Sequence, residues 1–260
     1  SSWVYAEPGT SQTKDTVPLG TVTGSVTSST AAAHTSFGPN GILLTLTGTG
    51  PHNCLIPIDT TTPGRIQFFI RQTTAGSGTS DNRSLCTSIP GTIAYNRNTN
   101  LITLNSSTSG SGLTPTLNQW YRFCMCRKPN GSNWDIRWYV DGVQQMEALN
   151  VAGTPTSSIQ FGHSAAVATH GVWNIVGLLI DDDQTNTDMG DLRCCYKAPN
   201  GTTGTTNAFD TTFGSGANRQ AYINERPSSL TNNLQDTTGN TPGALETFNI
   251  QSASTGDVDI

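Results

Sequence analysis

Three short runs between residues 118 and 183 do most to limit what this chain can fold into: 120–127 (WYRFCMCR), 134–140 (WDIRWYV) and 172–180 (VWNIVGLLI). Each alternates or clusters aromatic and β-branched residues over the length of a strand. Turn formers follow the first two runs, as Pro129-Asn130-Gly131 and Asp141-Gly142, so the region reads as an antiparallel meander. Asp-Gly readily supplies the positive φ angles of a type I′ turn. Asp141-Gly142 should therefore reverse the chain between Val140 and Val143.

The pattern recurs elsewhere. Further strand candidates are 42–46, 54–58, 65–71, 84–86, 93–95, 101–104, 159–162 and 189–197, with short terminal strands at 248–250 and 258–260. Many short strands divided by Gly, Pro and Asn select a sandwich or jelly roll. Composition agrees, since only 34% of residues are apolar and 12% charged, with 27 Gly and 13 Pro. Such a balance argues against helices. A chain of 260 residues can bury one sizeable core.

A net charge of −5 leaves little basic surface to neutralise phosphates, so no nucleic-acid partner is expected. No apolar run approaches the roughly 20 residues of a spanning helix, and SSWVYAEPG lacks the charged-then-apolar order of a signal peptide. No membrane partner is expected either. Cysteines stand at 54, 86, 124, 126, 194 and 195. Their even number admits disulfides, but Cys124 and Cys126 lie two apart on a predicted strand and so share one face. They read as small buried hydrophobes pointing inward, as free thiols suited to a reducing cytoplasm. His34, His52, His163 and His170 are scattered, without the CxxC or HxxxH spacing of a zinc site.

Three regions are expected: an arm at 1–20, a β-sandwich at 21–198, and an extended segment at 199–260. The two flanking regions are polar and carry isolated anchors, Trp3 and Tyr5 in the first, Phe209, Phe213, Tyr222 and Phe248 in the second. So few apolar residues cannot offset chain entropy of ~1–2 kcal/mol per residue. These segments should lie along the sandwich or a neighbouring subunit, and Trp3, Tyr5, Phe209, Phe213 and Tyr222 are the candidate contacts. Glu225, before Arg226-Pro227, either pins the tail through a basic partner or is a surface charge.

Read in order, Asn118-Gln119-Trp120-Tyr121, then 136–142 (IRWYVDG), Ile159-Gln160-Phe161-Gly162 and 173–183 form one pattern. It resembles the concanavalin A-like, laminin-G-like jelly roll. The resemblance implies an all-β, concanavalin A-like (laminin-G-like) jelly-roll sandwich with extended polar N- and C-terminal arms, a fold that hosts lectins, glycosidases and scaffolding modules alike. A narrower resemblance runs through Asp181-Asp182, Met189-Gly190-Asp191-Leu192-Arg193, Ala198-Pro199-Asn200-Gly201, 221–227 (AYINERP) and Thr247-Phe248. These residues look like the C-terminal signature of tailed-bacteriophage virion proteins carrying this jelly roll. Phe209 and Phe213 stand where those proteins carry Trp-Thr.

Glycoside hydrolysis needs two carboxyl groups across a sugar groove. Glu occurs only at 7, 147, 225 and 246, never in the E-x-D-x-x-E strand of laminarinase-like jelly rolls. No catalytic residue is therefore named, and the protein is expected to be non-enzymatic. Asp181, Asp182, Asp183 and Asp188 could offer hard oxygen ligands to Ca²⁺, as in laminin-G-like lectins. They could equally be a solvated loop whose carboxylates cap turns. Trp138 and Tyr139 are adjacent on a strand, so one is buried and the other faces a subunit or ligand. His163 and His170 flank a small-residue loop and read as hydrogen-bonded loop residues. The resemblance implies a bacteriophage virion structural protein, either a capsid decoration (cement) protein or a tail-associated one. It would assemble in the host cytoplasm, contacting other virion proteins and copies of itself. The alternative is a lectin-like carbohydrate-binding adhesion module on the virion that recognises host glycans.

Overall fold

The computed structural model describes residues 3–6, 21–32, 34, 41–47, 50–57, 64–78, 82–88, 90–105, 107–164, 169–194, 199–202, 248–250 and 257–258. In chain order the strands begin with β1 (Trp3–Ala6), β2 (Thr21–Thr23), β3 (Val26–Ser29), β4 (Gly41–Leu46), β5 (His52–Pro57) and β6 (Arg65–Thr74). They continue with β7 (Asn82–Thr87), β8 (Thr92–Asn96), β9 (Leu101–Leu104), β10 (Ser109–Gly110), β11 (Trp120–Asn130), β12 (Asn133–Val140) and β13 (Val143–Val151). The last are β14 (Ser158–His163), β15 (Gly171–Asp181), β16 (Arg193–Cys194), β17 (Pro199–Thr202), β18 (Phe248–Ile250) and β19 (Asp257–Val258). A 3₁₀ turn spans Thr30–Ala32. Among the described residues no helix is long and apolar enough to cross a membrane.

Two antiparallel sheets make an all-β jelly-roll sandwich, as the strand spacing predicts. The larger has the order β10-β13-β12-β11-β6-β15-β4-β3, with β1 paired to the C-terminal end of β15. The smaller, six-stranded sheet has the order β2-β5-β14-β7-β8-β9. Because β4 pairs only with residues 171–175 of β15 and β1 with 179–181, β1 continues the place that β4 vacates. The strand within the predicted N-terminal arm thus lies on the chain's own sandwich. The side chains of Trp3 and Tyr5 lie outside the description, as do Phe209, Phe213, Tyr222 and Glu225 altogether.

Alternation places the core. In β11 Tyr121, Phe123 and Met125 face the smaller sheet, and in β6 Ile66, Phe68 and Ile70 do so. Aromatic edges bind the two layers, Phe68 meeting Phe161 at 5.1 Å and Trp173 meeting Tyr95 at 5.0 Å between ring centroids. Trp138 is fully buried against Phe123 at 5.0 Å. It is therefore a core residue and not the subunit or ligand contact that its neighbourhood with Tyr139 suggested.

The Asp141-Gly142 hairpin forms as predicted, with φ of 50° and 86° and Val140 opposite Val143. The preceding turn is tighter than expected, because β11 runs on through Pro129 and Asn130, opposite Trp134 and Asn133. Pro is tolerated there because β6 pairs with β11 only as far as Cys126, leaving Pro129 at an edge. Of the predicted strand at 189–197, residues 189–192 are not strand and Arg193–Cys194 is, while 195–197 lie outside the described residues. Residues 182–192 instead cross the outer face of the larger sheet.

That crossing corrects the reading of the thiols. Cys124 and Cys126 point away from the sandwich core, into a separate apolar layer with Leu179 and Met189, flanked by Tyr139 and Leu192. A second outer cluster joins Phe69 and Val176 with Trp120. β11 and β15 are buried on both faces, which is why their sequences run almost continuously apolar. Cys54, Cys86, Cys124 and Cys126 are free thiols. Cys54 and Cys86 both lie opposite Phe161 on flanking strands, two strand spacings or about 9–10 Å apart, beyond disulfide reach.

Candidate functional site

The predicted acidic cluster is divided between two arginines that composition did not single out. Arg65 Nε donates to both carboxylate oxygens of Asp181 at 3.1 Å, and its Nη2 lies 3.1 Å from Asp183. Arg122 reaches across the outer face and grips Asp188 with two bonds of 2.8 Å while also donating to Gln67 Oε1 at 2.9 Å. Among the described residues no three His, Cys, Asp or Glu side chains are arranged to hold a metal ion. Asp181 and Asp183 are ion-pair partners of Arg65, and Asp188 of Arg122. The remaining carboxylates with defined partners are also structural: Asp135 accepts from Asn150 N and Asn130 Nδ2, Asp141 from Arg122 N, and Glu147 from Ser109 Oγ.

Segment 182–192 is held down along its length. Tyr139 Oη donates to Asn186 O at 2.6 Å, and Gln67 Nε2 donates to Leu192 O at 2.6 Å. Tyr139, expected to face a ligand or subunit, is half-buried beneath this strap. Burial would raise the Asp188 pKa, but the Arg122 pair outweighs it and holds the carboxyl below the usual carboxylate range. A depressed folded pKa means stability that is present above the unfolded value, about 3.9 for Asp, and lost as pH falls through the folded value. The difference in unfolding free energy between wild type and Asp188→Asn should accordingly be full at pH 7 and shrink below about pH 4. A difference constant down to strongly acid pH would contradict this assignment.

Three of the four histidines come together in space, while His34 packs against Trp120 and Phe69. His163 lies directly opposite His52 in the β14–β5 ladder. Ring centroids are 6.1 Å apart for His52 and His163 and 5.7 Å for His163 and His170, and all three side chains are buried. Ser25 N donates to His52 Nδ1 at 2.9 Å, which fixes the tautomer that carries its proton on Nε2. Buried Arg127 donates to Ser88 O at 3.2 Å, and desolvation lowers its pKa to about 10.

The open surface with the most uniform chemistry is the outer face of the six-stranded sheet. Ladder register puts Thr21 and Thr23, Asn53 and Leu55, Ser158 and Gln160, Thr87 and Thr92, and Thr103 on that side. No ionisable side chain occupies an outward position of these described strands. Its centre is ordered: Gln160 Nε2 donates to Gly162 O at 3.1 Å, Ser164 Oγ donates to Gln160 Oε1 at 3.0 Å, and Asn53 Nδ2 donates to His163 O at 3.3 Å. Leu55 adds an exposed apolar step between Thr21 and Gln160. The outer face of the larger sheet differs sharply, carrying Arg71, Arg122, Arg137, Asp135 and Glu147.

No family model matches this chain, and no curated protein matches it. The resemblance to phage virion proteins has no support beyond its own motifs. Among solved structures, the botulinum neurotoxin serotype D ligand-binding domain in complex with N-acetylneuraminic acid aligns at TM-score 0.44 and 12% identity, over 64% of this chain and 43% of that one. The receptor-binding domain of the C/D mosaic serotype gives TM-score 0.44 at 11% identity, over 64% and 43%. A type C structure, reported with cell entry dependent on two ganglioside molecules, gives 0.43 at 13%, over 64% and 44%. The chain spans less than half the length of these structures.

Proposed function

We propose that this chain is a non-catalytic recognition module that receives a neutral glycan on the outer face of its six-stranded sheet. The observation that carries the reading is the chemistry of that face: amides and hydroxyls around one exposed leucine, without an ionisable side chain at the outward positions of its described strands. A neutral sugar presents hydroxyls that both donate and accept, together with apolar C–H patches. Asn53 and Gln160 supply amides already fixed by hydrogen bonds within the fold, so little side-chain entropy is lost on binding. A sheet face without an aromatic platform gives weak single-site affinity, and copies displayed on a particle would add avidity. The described carboxylates with defined partners are engaged in the fold, which supports a binding role over hydrolysis.

The virion reading, as decoration or tail-associated subunit, is a proposal about where such a module sits. It rests on motifs of which Met189 and Leu192 have a separate explanation, since they cap the outer thiol layer. Gln160→Arg tests the binding face directly. It places an unpaired cation among neutral polar groups and is expected to weaken binding of neutral oligosaccharides about tenfold or more, equivalent to roughly 1.4 kcal/mol. Calorimetry against a panel of neutral and anionic oligosaccharides reads the effect. Equal affinity in wild type and variant, or binding confined to anionic sugars, would remove the face from consideration.

A further inference from the structure

The outer thiol layer brings two sulfurs of one strand into direct contact. Cys124 Sγ and Cys126 Sγ lie 3.6 Å apart on one face of β11, and Cys126 Sγ donates to Thr187 O at 3.2 Å. Both thiols are fully buried beneath the 182–192 strap. We propose that Cys124 and Cys126, closed over by this strap, form a two-thiolate site for a divalent d¹⁰ cation such as Zn²⁺ or Cd²⁺, with the Thr187 carbonyl oxygen as the third ligand.

Two magnitudes separate this from the other uses of paired cysteines. Residues i and i+2 on one strand face have Cβ atoms about 6–7 Å apart, whereas a disulfide needs about 3.5–4.5 Å. An intrastrand disulfide would therefore have to break the β11 ladders to Phe68, Ile66, Trp138 and Tyr139. Two thiolates sharing a tetrahedral ion at Zn–S of about 2.3 Å stand about 3.7–3.8 Å apart, close to the spacing already present. Charge also suits the site. Two thiolates and a divalent ion sum to zero, so filling it adds no net charge beside Arg65 and Arg122, whose carboxylate partners stay in place. The set has two side-chain ligands and one backbone oxygen. The Arg122–Asp188 pair and the bonds from Tyr139 and Gln67 hold the strap shut, so they act as the gate to the thiols.

The test is titration of the reduced, metal-free protein with Cd²⁺, read by the ultraviolet sulfur-to-metal charge-transfer band. The native protein should take up Cd²⁺ slowly and develop the band. Cys124→Ser and Cys126→Ser should each abolish it, while Cys54→Ala retains it. Asp188→Asn, which leaves both sulfurs in place, should speed uptake about tenfold by loosening the strap. Retention of the band in both serine variants, absence of any band in the native protein, or mild oxidation that links 124 to 126 in place of metal uptake would each overturn the proposal. Circular dichroism of each variant checks that the sandwich is intact. Should a serine variant fail to fold, the rate comparison with Asp188→Asn still decides, because an unchanged rate removes the gate.

Discussion

Trp138→Ala is expected to destabilise the protein by about 3–5 kcal/mol, measured by denaturant unfolding. The indole is fully buried in the ring stack that runs from Trp138 through Phe123 and Phe68 to Phe161 and so spans both sheets. Removing it leaves a cavity bounded by β11 and β13, whose backbones are fixed by ladders on either side and cannot collapse inward. Trp138→Phe should cost less, because it keeps most of the apolar contact and deletes an indole N–H with no acceptor among the described residues. Were Trp138 a ligand or subunit contact, alanine would instead leave the unfolding midpoint near wild type and reduce binding.

Arg122→Ala should lower stability by about 2–4 kcal/mol. The substitution strands two groups at once: Asp188, whose carboxylate receives two bonds from the guanidinium, and Gln67 Oε1, on a fully buried side chain. The upper end is discounted because Asp188 retains 15% of its side-chain surface and can turn to water as the strap loosens. Hydrogen exchange at residues 186–192 should accelerate more than exchange in β4 or β14. The double variant Arg122→Met, Asp188→Leu should recover much of the loss, since an apolar pair of similar volume avoids the desolvation of both charges. Failure of that recovery, with exchange unchanged across the strap, would show that Arg122 stabilises β11 by some other means.

The sequence made the strands legible where side-chain type and turn chemistry agreed. Asp141-Gly142 fixed one hairpin to the residue, and the aromatic β-branched runs marked β6, β11, β12 and β15. β13 was harder to see, because Gln144, Gln145, Met146, Glu147 and Ala148 have little intrinsic strand preference. It is a strand because it pairs with β12 and buries Met146 and Ala148. Which way Cys124 and Cys126 point could not be read from a run apolar on both faces, and parity became visible only once Phe123 and Met125 were seen to fill the inter-sheet core. The pairing of Asp188 with Arg122 crosses 66 residues and that of Asp181 with Arg65 crosses 116, so no local spacing announces either. The row His52–His163–His170 has the same origin. The neutral face is the clearest case: its residues come from separate strands, and only ladder register gathers them on one side.

The most direct test of the account follows backbone amide shifts of the isotopically labelled protein during titration with a neutral oligosaccharide. The expected result is a set of perturbations centred on Asn53, Leu55 and Gln160, extending to Thr87 and Thr103 and sparing the charged outer face of the larger sheet. Perturbations confined to that charged face, or none at any concentration at which a control lectin is saturated, would contradict it.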